Sequence, residues 1–175
     1  MYGINSPAPG GTTSFFDTVL HEIGHGLRVL SLVGENGARF FGFNDAYAYH
    51  LMDDQTGKLW RNMSGGQRAA SAINTGNLVW DGPNATNNSS HLSPSSRNSS
   101  RIRMYAPNPY AAGSSVSHWD TVLSPDELME PIATPVSDDR PTLQVLKDVG
   151  WNLLGHGQSN KITLAAIIFL LLGDD

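Results

Sequence analysis

The sequence predicts an α+β fold, and three observations carry that expectation. Apolar residues recur at helical spacing from about Ser14 to Leu32 and again over Thr142–Val149. Short apolar or β-branched runs at Leu78–Trp80 and Ile102–Tyr105 read as strands. Gly, Ser, Asn and Pro fill the stretches between them, so long loops are expected. At 175 residues, 39% of them hydrophobic, the chain suffices for one domain with a sizeable core.

The elements follow in order. Residues 1–12 read as loop. Thr13 or Ser14 then caps a helix whose Phe15, Phe16, Val19, Leu20, Ile23, Leu27 and Leu30 share a helical repeat, with Gly34 and Gly37 ending the pattern. Val19, Leu20 and Ile23 are expected to bury it. Tyr47, Leu51 and Met52 suggest one face of a short helix from about Asp45, followed by a turn at DDQTGK. Ser64–Ile73 reads as another short helix. The Asn- and Ser-rich stretch 84–100 has almost no apolar residues and is expected to be an exposed loop. Ser124-Pro125 fits an N-cap and N1 pair for a short segment reaching Met129. Asp139 or Thr142 caps the last helix and Gly150 closes it. Near the C-terminus, Ile162–Leu172 is an apolar run of eleven residues, whereas a membrane span needs about 20. It is read as a terminal helix or strand packed on the domain, or else as part of a sorting or anchoring tail.

Composition narrows the function classes. Charged residues are only 15% and the net charge is −5, with no basic cluster, so nucleic acid is not an expected partner. There is no cysteine, which excludes disulfides, thiolate metal sites and thiol catalysis. Any bound metal must be held by His, Asp or Glu. The N-terminus has no basic start followed by an apolar stretch, so no signal peptide is expected.

The chemistry lies in His21-Glu22-Ile23-Gly24-His25. Residues four apart share a helix face, so both imidazoles can reach one metal ion. Glu22 lies one position on, suited to act as general base toward a metal-activated water. Such a site needs a third protein ligand, drawn from His50, His91, His118, His156 or the carboxylates. His91 lies in the Asn/Ser stretch, His50 in a Tyr-rich segment and His156 in a Gly-rich tail. Asp45, Asp53 and Asp54 are weak candidates for calcium, without an EF-hand loop around them.

Ser117-His118-Trp119-Asp120, followed by Glu127-Leu128-Met129, resembles the second half of a metzincin site, in particular that of leishmanolysin-type peptidases and related bacterial secreted proteins. Leu143–Trp151, a Leu-rich helix ending in Gly-Trp, resembles the C-terminal helix of such domains. The resemblance spans roughly residues 14–151. It implies a zinc metalloendopeptidase acting on peptide or protein substrates outside the cell. His21, His25 and His118 would be the zinc ligands, Glu22 the catalytic base and Met129 a hydrophobic floor beneath the metal. Asp120 would orient a neighbouring group, or else stay solvated or cap a turn. The resemblance further implies a catalytic domain over 1–155, lacking the family's N-terminal sheet, and a tail over 156–175. The family carries glycine three residues after the second histidine, where the chain turns sharply. Arg28 stands there, and with a remote third ligand the helix is expected to continue.

Overall fold

The structure, a computed structural model, describes residues 14–132, 136 and 138–152. The expectations for residues 1–12, for the apolar run 162–172 and for His156 lie outside these residues. The architecture is α+β: four α-helices, short 3₁₀ turns and two small antiparallel sheets among the described residues.

Helix α1 spans Phe15–Gly26, and Ser14 caps it by accepting the Asp17 N–H on its hydroxyl. The helix stops well short of Leu32. Leu27 is the C-cap, Arg28 takes the left-handed conformation at φ 79°, and two reversed bonds close the end. Arg28 N–H donates to the His25 carbonyl and Val29 N–H to the Gly24 carbonyl, both at 3.0 Å. This is a Schellman motif with arginine where glycine is usual. Helical spacing alone does not register such a stop, because Val29, at 1% exposure, is apolar and buried through the turn instead of through the helix. The expected burial of α1 is also only partly met. Leu20 is buried and Ile23 half-buried, but Val19 is 38% and Phe15 78% exposed.

The segment near Asp45 is not a helix bearing Leu51 and Met52. A single 3₁₀ turn at Ala48–His50 leads into strand β1, Leu51–Asp53. The expected turn joins β1 to β2, Lys58–Leu59, as an antiparallel hairpin pairing Met52 with Leu59. Helix α2, Gly65–Ser71, starts with a capping box in which Ser64 and Gln67 each bond the other's main-chain N–H. Strand β3 is Leu78–Trp80, as the sequence predicts, and lies on the other side of β1. The sheet order is therefore β2-β1-β3.

Residues 84–100 are not an exposed loop. They form α3, Pro83–Asn87, a 3₁₀ turn at Pro94–Ser96 and a small hairpin of β4, Arg97–Asn98, and β5, Arg101–Ile102. Ser89, Leu92 and Ser96 are buried. Polar side chains supply the order: the Ser89 hydroxyl donates to the Ser100 carbonyl at 2.7 Å and that of Ser96 to the Val122 carbonyl at 3.2 Å. Asp148 at the end of α4, Arg140–Asp148, fixes the start of α3. Its carboxylate accepts from the Asn84 main-chain N–H (2.8 Å), the Ala85 N–H (3.1 Å), the Asn84 amide and the Trp80 indole. A Cβ at Gly82 would lie 2.2 Å from Asp148 Oδ2, so only glycine admits this carboxylate.

The sheet continues through single bridges toward the histidines. Val79 pairs with Arg103, and Met104 pairs with Trp119. Trp60, Trp80 and Trp119 are fully buried in the core, and each indole N–H finds an acceptor: Ser71, Asp148 and Thr142 respectively. Residues 124–129 form turns and no helix; a parallel bridge of Glu127 with Asp138 holds them. Among the described residues, no helix is long and apolar enough to cross a membrane.

Candidate metal centre

Two structural units bring the three histidines together. His21 and His25 stand one turn apart on α1. His118 lies in a segment hydrogen-bonded on both sides. Tyr105 N–H donates to the His118 carbonyl (2.9 Å), Val116 N–H to the Tyr105 carbonyl (2.7 Å), and Trp119 N–H to the Met129 carbonyl (2.9 Å). The sheet extension thus carries His118, and the chain around Met129 ties it to the strand's other edge.

The ring centroids of His21, His25 and His118 lie 4.8–5.1 Å apart. One ligand atom from each falls within 4.8 Å of the others, close enough to hold one metal ion. His118 is buried; His21 and His25 are half-buried. His50 and His91, the other histidines among the described residues, lie elsewhere. His50 Nε2 bonds the Asp148 carbonyl and its ring packs on Trp80, while His91 pairs with Asp138 at 2.7 Å.

Each ring is aimed by a backbone carbonyl. Nδ1 of His21 meets the Leu128 carbonyl at 2.8 Å, Nδ1 of His25 the Val29 carbonyl at 2.8 Å, and Nδ1 of His118 the Ser114 carbonyl at 2.7 Å. A carbonyl only accepts, so each Nδ1 carries a hydrogen and donates, and in the neutral ring Nε2 is then a bare lone pair. The Nε2 atoms of His21 and His118 stand 3.1 Å apart. Two lone pairs at that distance repel unless a positive species lies between them, and a third imidazole beside them describes a metal's donor set. Burial pushes the His118 ring down to about 4, helped by the neighbouring His25 and His21 and opposed by the Ser114 carbonyl. Burial likewise lowers His25. Both therefore stay neutral at neutral pH, the form that binds a metal.

The turn at Arg28 belongs to this arrangement. By reversing the chain directly after α1 it returns the Val29 carbonyl to His25, four residues earlier. A continued helix would commit that carbonyl to the residue one turn further on.

Met129 is fully buried beneath α1 at Gly24, between the two helix ligands. A Cβ on Gly24 would come within 2.6 Å of the Met129 sulfur, so glycine lets the methionine pack directly on the helix. Glu127, which sequence reasoning gave no role, fixes this turn. Its fully buried carboxylate accepts from the Met129 N–H at 2.7 Å and from the Thr142 N–H at 2.8 Å in the first turn of α4. The cap expected from Asp139 or Thr142 is thus supplied from outside the helix; Asp139 occupies the cap position without a side-chain capping bond. Burial raises Glu127 to about 8, against the lowering effect of the Met129 and Thr142 hydrogen bonds. Only a Glu two residues before the methionine hinted at this role.

Asp120 does not orient a ligand ring. Its carboxylate pairs with Arg103 at 3.0 Å, and backbone carbonyls do the orienting. Calcium gains no support from Asp45 or Asp53. Asp45 accepts the Leu32 and Ala48 N–H groups, and Asp53 accepts the Thr56 N–H and the Asn74 amide, so protein donors fill their oxygens.

Glu22 is exposed and, with His21, lines a cleft of about 180 Å³ between α1 and the chain from Glu127 to Ile132. No family model, curated protein or solved structure matches this chain.

Proposed function

We propose that this chain is the catalytic domain of a zinc-dependent endopeptidase built on the metzincin plan. The observation that carries the reading is the convergence of three imidazoles, each oriented through Nδ1 by a backbone carbonyl, beside a cleft that also presents Glu22. Three imidazoles suit zinc in a site that leaves one position open. Nitrogen ligands about 2.0–2.1 Å from a tetrahedral zinc stand about 3.3 Å apart, near the 3.1 Å between His21 and His118. The buried methionine beneath the helix is a further feature that the resemblance implies, and the chain turns at Arg28, where the family carries glycine, instead of continuing the helix as expected for a remote third ligand.

Zinc, when bound, supplies Lewis acidity: it polarises the peptide carbonyl and brings the pKa of a water down to about 7. Glu22 accepts the proton of the attacking water on a carboxylate oxygen as the new C–O bond forms. It then delivers that proton to the leaving amine nitrogen as the C–N bond breaks. Its seat on α1 next to His21 sets its position relative to the ligands. Peptide or protein is the substrate class.

A second reading, a zinc-binding module without hydrolytic activity, has one observation in its favour. Among the described residues no strand lines the cleft, so nothing there offers an edge for an extended peptide. Cleavage of unfolded casein separates the two. Glu22→Gln is expected to lower it by at least about 100-fold while zinc content stays unchanged. A variant as active as the parent overturns the role of Glu22. A zinc-loaded parent that cleaves nothing supports the second reading.

A further inference from the structure

The cleft beside the ligands carries charge that the proposed hydrolysis does not use. Its α1 wall runs from Asp17 to Glu22, and its other wall includes the apolar side chains of Leu128, Pro131 and Ile132. The lining holds carboxylates and no lysine or arginine. Of these, Glu127 is engaged with the Met129 and Thr142 N–H groups, Glu130 is buried and has a partner of its own, and Glu22 is assigned to proton transfer. Asp17 has neither task. It lies four residues before His21 on the same helix face, about 6 Å along the axis, and its main-chain N–H is held by Ser14.

We infer that Asp17 is a specificity-determining residue that selects a lysine or arginine side chain next to the peptide bond to be cut. The inference rests on the peptidase reading. A long basic side chain has an aliphatic stem and a cationic head. The stem matches the Leu128, Pro131 and Ile132 wall, and the head reaches the Asp17 carboxylate one turn from the metal ligand. A cleft with low-dielectric walls focuses this attraction more than open surface does. An acidic side chain in the same place meets like charge and is rejected. A leucine would satisfy the apolar wall and leave Asp17 without a counter-charge.

The test uses the zinc-loaded Glu22→Gln protein, so that binding is read without turnover, together with cleavage by the parent. Blocked alanine-based peptides carrying a single Arg, Leu or Glu are titrated and their dissociation constants compared. The Arg peptide is expected to bind about fivefold tighter than the Leu peptide, the upper range for an ion pair open to solvent, with the Glu peptide weakest. Adding Asp17→Asn should bring Arg and Leu to parity, and Asp17→Lys should move the preference to Glu, with zinc content and circular dichroism unchanged. Equal affinities in the Glu22→Gln protein, or an Arg preference that survives Asp17→Asn, overturns the inference. An Arg preference in binding that Asp17→Asn abolishes, without cleavage by the parent, overturns the peptidase reading and leaves Asp17 as the selector of a bound basic side chain only. No binding of any peptide overturns both.

Discussion

The Nε2 atoms of His21 and His118, 97 residues apart in sequence, lie 3.1 Å from each other, while their Nδ1 atoms point away to the Leu128 and Ser114 carbonyls. Both rings are therefore fixed from behind before any metal arrives. Pre-set ligands lose little freedom on binding, which favours a tight site. The carbonyl of Leu128 adjoins Met129, and the carbonyl of Met129 accepts from Trp119 beside His118. One turn thus positions ligands from both halves of the chain.

Replacing Met129 tests that coupling. Met129→Ala removes a fully buried side chain beneath α1 and is expected to cost about 2–5 kcal/mol in urea unfolding. Because Met129 does not itself ligate, zinc content at saturating metal should stay near that of the parent. Loss of zinc from a still-folded variant would show that the floor does more than pack.

Arg28 holds a left-handed conformation that costs a side-chain-bearing residue roughly 1–2 kcal/mol. Arg28→Gly should therefore raise stability by about 1 kcal/mol, after allowing for the greater freedom of glycine in the unfolded chain. The measurement is the unfolding midpoint in urea. A lower midpoint would mean that the arginine side chain contributes contacts that outweigh the strain.

Asp148 is the half-buried hub between α3, α4 and β3. Asp148→Ala leaves the Trp80 indole and the first N–H groups of α3 without their acceptor. The expected loss is about 2–4 kcal/mol. His21, His25 and His118 are not among its partners, so metal affinity of the folded fraction should hold. A neutral substitution would remove Asp148 as the organiser of residues 83–102.

Two buried groups predict the pH profile of the metal-free protein. His118 is lowered in the folded state to about 4 from an ordinary 6.5. Its contribution is present above 6.5 and lost as pH falls toward 4. Glu127 is raised to about 8 from 4.5, so its contribution is full below 4.5 and lost as pH rises through 8. The two oppose each other between 4.5 and 6.5, and above 6.5 the Glu127 effect stands alone. Stability should thus decline from pH 6.5 to 8, and Glu127→Gln should flatten that decline. A parent whose stability rises across this interval would contradict the burial argument for Glu127.

How much of this was legible beforehand differed by the kind of interaction. The His-Glu-x-x-His helix, the Ser14 cap, the short helix after Ser64, the turn after Asp53, strand β3 and helix α4 all follow from periodicity and local turn chemistry. His118 and Met129 were found through motif resemblance, since nothing local marks a residue 93 positions after His25 as its neighbour. Residues 84–100 were misread because their order comes from Ser, Asn and Asp side chains bonding to backbone, which hydrophobic patterning does not register. The end of α1 was misread for a related reason: a left-handed arginine leaves no signature that distinguishes it from one more helical residue. The carbonyls that aim the histidines belong to Val29, Ser114 and Leu128, whose side-chain identities carry no information about that role.

The measurement that bears most directly on the metal centre is the zinc content of purified protein, by elemental analysis, in the parent and in His118→Ala. The account predicts near-stoichiometric zinc in the parent and a sharp fall in the variant, with circular dichroism showing both to be folded. Zinc retained in full by His118→Ala, or absent from a folded parent even after incubation with the metal, would contradict the three-histidine site.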